Sequence, residues 1–97
     1  MPDVPPELEQ STLLRRRGDV LWRTGDQFLA LARVDGHPLT VSGSGADVWA
    51  RLEREQSWAE LARGLADDYG VDVERIATDL RPILKRLVDE GYVDART

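Results

Sequence analysis

The stretch Leu39-Thr-Val-Ser-Gly-Ser-Gly-Ala-Asp-Val-Trp-Ala-Arg-Leu52 changes its period in mid-course. Leu39 to Val41 alternates as a short strand does, Ser42 to Gly45 is turn chemistry, and Val48, Trp49 and Leu52 then fall on one helical face. Ser44 is a good N-cap, and Asp47 takes the third helical position, where a carboxylate meets the exposed amides and the helix dipole. A strand that runs through a glycine turn into a capped helix is the centre from which both flanks are read.

Upstream, Val20-Leu-Trp-Arg23 and Phe28-Leu-Ala-Leu-Ala-Arg-Val34 read as strands, and the Gly25-Asp26 pair between them predicts a first hairpin. Asp35-Gly36 is a stronger turn signal, so Leu39 to Val41 returns as the third strand of an antiparallel meander. Pro38 opens that strand without a backbone donor, which suits either an open edge or simply the start of a short strand. Residues 1 to 12 hold three prolines and three acids, offer little to bury, and are expected as a flexible lead-in to a domain over 13–97.

Downstream, Ser57-Trp-Ala-Glu60 matches a capping box, Leu61, Leu65 and Tyr69 follow at four-residue steps, and Gly70 stops the helix. Asp72 caps a third helix with a broad apolar stripe running to Val88 and ending at Gly91. Pro82 removes the amide that would bond Thr78, so the helix is expected either to kink there or to split in two. A very short strand at Tyr92-Val93 is a further option. The fold class is therefore α+β, winged helix-turn-helix-like, with a three-stranded antiparallel sheet followed by three helices.

Ninety-seven residues make one small domain. With 13 Lys plus Arg against 18 Asp plus Glu, the net charge of −5 repels a phosphate backbone, and the third helix with Glu90 balances four basic against four acidic side chains. Arg15-Arg-Arg17, the only dense basic run, reads as a solvated strand flank before it reads as a nucleic-acid contact. No cysteine is present, the N-terminal residues lack a signal pattern, and no apolar run approaches the roughly 18 residues a membrane span needs. A cytoplasmic location with neither membrane nor nucleic acid as partner is the expectation.

Catalytic and metal chemistry find no foothold. His37, the lone histidine, lies beside a turn proline with no triad spacing around it. Asp67-Asp68 with Asp72 and Glu74 fit helix ends and not a calcium loop. Gly43-x-Gly45 lacks the residues that would make it a phosphate loop. No enzyme activity, cofactor or metal is expected. Trp49 on the helical face and Trp22 on an alternating strand read as core, while Trp58 is open between core and interface.

Taken together, Val20-Leu-Trp-Arg23, Ser42-Gly-Ser-Gly-Ala-Asp-Val-Trp49, Ser57-x-Ala-Glu-Leu-Ala62, Tyr69-Gly70-Val71 and Asp79-Leu80 followed by Leu84-x-x-Leu87 resemble the PqqD-like family over about residues 18 to 93. Each motif alone records packing or capping; their order carries the resemblance. It implies a recognition domain that binds the leader segment of a ribosomally made precursor peptide and presents it to a modifying enzyme such as a radical SAM protein, protease or cyclase. In such domains the leader adds as a strand beside the third strand and packs on the third helix. Carried over, Leu39, Thr40 and Val41 supply the edge, Ile76, Leu80 and Ile83 an apolar wall, and Arg75, Asp79 and Arg86 a charged rim. Val41→Pro is then expected to delete an edge amide. A winged-helix DNA-binding regulator and a structural subunit of a larger enzyme are the other readings, and the chain is expected as a monomer or a strand-exchanged homodimer.

Overall fold

A computed structural model describes residues 8–33, 36 and 38–96. In chain order it contains β1 (Leu13–Arg16), β2 (Leu21–Gly25), β3 (Phe28–Ala32), β4 (Leu39–Ser42), α1 (Gly45–Arg51), β5 (Gln56–Ser57), α2 (Trp58–Tyr69), α3 (Val73–Asp89) and β6 (Val93–Arg96). Among the described residues the strands form two antiparallel sheets, ordered β2-β3-β4 and β5-β1-β6. The α+β class and the meander followed by three helices stand as expected; the second sheet is an addition to them.

The meander owes its register to its hairpin. Gly25 pairs with Phe28 across a two-residue loop, Asp26-Gln27, in which Gln27 takes the left-handed φ of 64°. The turn thus lies one residue later than the Gly25-Asp26 pair suggested. Leu29 and Leu31 of β3, with Leu39 of β4, face the core, whereas Leu21 and Ala30 lie on the opposite face. The Asp35 half of the second turn signal, like His37, lies outside the described residues.

Between β4 and α1 the chain reverses at Gly43, whose φ of 72° favours glycine. Gly45 is required for a different reason: a Cβ there would come within 2.6 Å of Val41 Cγ1, so the first turn of α1 lies directly against β4. Ser44 and Asp72 occupy the N-cap positions of α1 and α3 without making a side-chain cap bond. Ser57 does cap: its Oγ accepts from the Glu60 amide and the Glu60 carboxylate accepts from the Ser57 amide, both at 3.1 Å. Gly70 ends α2 in the left-handed region, as the sequence suggests.

Helix α3 is continuous from Val73 to Asp89 with Pro82 inside it, so the split into two helices does not occur. The proline lies on the exposed side, while Ile76, Leu80, Leu84 and Leu87 are buried against the rest of the core. Burying each such side chain stabilises the fold by roughly 1.5–3 kcal/mol, and together they exceed the cost of a single solvent-side proline that has no amide to offer the Thr78 carbonyl.

The second sheet draws on segments with weak strand signals. β1 contains Arg15 and Arg16 of the basic run, β5 is two residues long, and the C-terminal strand extends four residues, from Val93 to Arg96. β1 lies between the other two, pairing Leu13 with both Ser57 and Arg96. Of the expected lead-in, residues 1–7 lie outside the described residues. Within 8–12, Thr12 is buried, its carbonyl accepts the Trp58 amide at 2.8 Å, and the Gln10 carbonyl accepts the Ala59 amide at 3.1 Å. Those two bonds and the Ser57 cap together satisfy the first three amides of α2.

Candidate functional site

β4 is the terminal strand of its sheet, pairing with β3 and leaving its other side without a strand partner among the described residues. Which backbone groups face that open side follows from the register. Leu29 is opposite Val41 and Leu31 opposite Leu39, and two residues further along the same ladder the Gly43 amide donates to the Gln27 carbonyl at 3.1 Å. In an antiparallel ladder, hydrogen-bonded pairs recur every second residue, so Leu39 and Val41 spend their amides and carbonyls on β3. Thr40 and Ser42 turn theirs outward. Of the expected edge residues Leu39, Thr40 and Val41, the register turns only Thr40 toward the open side, joined there by Ser42. Val41→Pro would cut the β3–β4 ladder and spare the edge.

The side chains of β4 divide the same way. Leu39 is buried in the core and Val41 half-buried over Gly45, while Thr40 and Ser42 are exposed on the other face.

The nine residues expected at the site also separate on α3. Ile76 and Leu80 are 6% and 1% exposed and belong to the core, so they do not form the wall of a groove. Ile83 is half-buried and packs on the core margin. Arg75, Asp79 and Arg86 are exposed and, at spacings of four and seven, share one flank of the helix with Ile83. Arg86 also pairs with Glu90 at 3.1 Å on the next turn. A broad apolar stripe at helical spacing cannot by itself show where core gives way to margin, because both are written with the same residues.

The main contacts of β4 are with β3 and α1, and those of α3 with α2 and β6. Arg33 links the exit of β3 to the end of α3. From the exit of β3 its guanidinium reaches the Glu90 carbonyl at the end of α3, at 3.4 Å, and lies over Gly91. Gly91 suits the position doubly, with a φ of 81° and no Cβ to displace that side chain.

The tryptophans follow the expected pattern in part. Trp49 is buried, as expected, and Trp58, left open, is buried too, with the Arg81 guanidinium 5.7 Å from its ring centre. Trp22 is 48% exposed and so is not a core residue. It shares the face of Leu31, but as part of an end strand it has a neighbouring strand on one side alone. Among the described residues no group of three or more His, Asp or Glu side chains converges as a metal site, and no helix is long and apolar enough to cross a membrane.

Comparison with known proteins places this architecture. A solved structure described as TbiB1 in complex with the TbiA(beta) leader peptide shares the fold with a TM-score of 0.70 at 20% sequence identity, covering 86% of this chain and 98% of that one. No curated protein matches the chain. The family model for coenzyme PQQ synthesis protein D matches residues 26–93, from the hairpin loop before β3 to the first residue of β6. That match spans well over half of the sequence, and the chain accordingly belongs to the PqqD family.

Proposed function

We propose that this protein is a non-catalytic adaptor that binds the leader segment of a ribosomally made precursor peptide and holds its core region near a modifying enzyme. The observation that carries the reading is the open edge of β4, where Thr40 and Ser42 present main-chain groups without a strand partner among the described residues. Strand addition there supplies affinity through backbone bonds that are tolerant of sequence. Side-chain choice then falls to the flank of α3, with Ile83 as a shallow apolar contact and Arg75, Asp79 and Arg86 as the charges that set register and orientation. Membership of the PqqD family supports this reading, as does the likeness to a protein solved with a leader peptide.

The adaptor works by effective concentration: a bound leader turns the encounter between core peptide and enzyme into a nearly intramolecular event. The enzyme is of the kind that modifies or cleaves peptides, such as a radical SAM protein, a protease or a cyclase, and the setting is the cytoplasm. Titrating the leader of the precursor encoded beside this chain into isotope-labelled protein tests the site. The expected result is a shift of the Thr40, Ser42 and Ile83 signals that persists at high salt. Shifts confined to other surfaces, or binding only to DNA with steep salt dependence, would overturn the assignment.

A further inference from the structure

Among the described residues the sheet β2-β3-β4 has a second open edge. β2 ends it on the side away from β4, and because Phe28, Ala30 and Ala32 bond toward β2, the alternate residues Trp22 and Thr24 turn their amides and carbonyls outward. A trench runs along this edge, with one lobe of about 610 Å³ against α1 and another of about 780 Å³ against the β1–β2 connection. Arg16, Trp22 and Glu53 line both lobes.

At the junction the Arg16 guanidinium lies 5.1 Å from the ring centre of Trp22 and 5.5 Å from that of Trp49. It donates to the Trp49 carbonyl at 3.2 Å, and among the described residues it has no carboxylate within ion-pairing distance. The neighbouring Arg17 differs, being committed to Asp19 at 3.0 Å and Asp94 at 3.6 Å. The two indoles meet edge-on with centres 6.4 Å apart, and the buried N–H of Trp49 finds no acceptor among the described residues. A half-buried, fork-shaped cation without an acid, beneath an exposed tryptophan, is matched by a carboxylate.

We propose that the β2 edge is a second peptide-docking site, which takes an extended segment of another protein by strand addition and anchors it through one carboxylate on Arg16. Asp19, Asp47, Glu53 and Asp94 around the trench disfavour an acidic run, so the matching segment carries a single acid between apolar neighbours. A second copy of this chain fits less well: two-fold pairing that uses both Trp22 and Thr24 of each copy places the two Arg23 side chains opposite one another.

The probe is a blocked pentapeptide, acetyl-Thr-Val-Glu-Val-Thr-amide, titrated into the labelled chain beside its glutamine counterpart. We expect the Trp22 indole N–H and the Thr24 amide to shift, with the glutamine peptide at least about tenfold weaker. Thr24→Pro removes an outward amide from an end strand and should abolish the shifts, while Arg16→Lys, which keeps the charge and loses the stacked fork, should weaken binding. Thr40→Pro should leave the pentapeptide unaffected, which separates this site from the leader edge. Equal binding of the two peptides, shifts that map to β4, or a dimer that protects the Trp22 and Thr24 amides would each overturn the proposal.

Discussion

Thr40→Pro and Val41→Pro, one residue apart, should have opposite consequences. The Thr40 amide points to the open side of β4, so proline there removes no bond within the sheet, and the folded protein should stay within about 1 kcal/mol of wild type. A docked strand, however, loses its donor and leaves a carbonyl buried without a partner, which costs about 1–3 kcal/mol. That corresponds to a loss of roughly 5- to 150-fold in leader affinity. The Val41 amide is committed to Leu29, and proline there orphans the Leu29 carbonyl at about 1–3 kcal/mol before the lost contact with Gly45 is counted. Thermal melts followed by circular dichroism give the stability arm, and fluorescence anisotropy of a labelled leader gives the binding arm. A folded Thr40→Pro protein with undiminished leader affinity would refute the edge assignment.

Four other outcomes follow from the packing and titration of the fold. Gly45→Ala should cost about 1–3 kcal/mol and displace Val41, shifting the β4 amides in the spectrum of the free protein. Leu84→Ala empties a fully buried site on α3 and should cost about 2–5 kcal/mol in denaturant unfolding. Ser57→Ala removes the cap of α2 and should cost about 1 kcal/mol, read as a lower midpoint at unchanged slope. Burial, followed by its hydrogen bond to Asp47, pushes the Tyr69 hydroxyl up to about 12. The folded state therefore holds that proton more tightly than the unfolded chain, and the stabilisation is intact below pH 10 and lost between pH 10 and 12. Tyr69→Phe should flatten that part of the stability profile.

The legibility of this chain varies with the kind of signal. Ser57-x-x-Glu60, Gly70 and the apolar stripe of α3 act locally, and each resolves into the element it announces. β1 and β5 carry little local signal: an arginine-rich tetrapeptide and a dipeptide become strands because Val93 to Arg96 and the start of α2 give them partners distant in sequence. Trp22 departs from the core reading for a related reason. Alternation gives the face of a strand but not its place in the sheet, and β2, at the end of its sheet, is exposed on both faces. At the candidate site, the strand and the helix can be picked out from the residues. The division between Thr40 and Val41 cannot, since it depends on the parity set by a hairpin elsewhere. The line between core at Leu80 and margin at Ile83 is likewise drawn by the neighbours packed around them, which the helical period does not specify.

The pairing of β1 with β6 has an architectural consequence. Leu13 opposite Arg96 brings the start of β1 and the end of β6 to neighbouring positions, about 5 Å apart as in any antiparallel pair. A module whose entrance and exit adjoin can be spliced into a surface loop of a larger polypeptide, or rejoined head to tail and reopened elsewhere, with little distortion of either part.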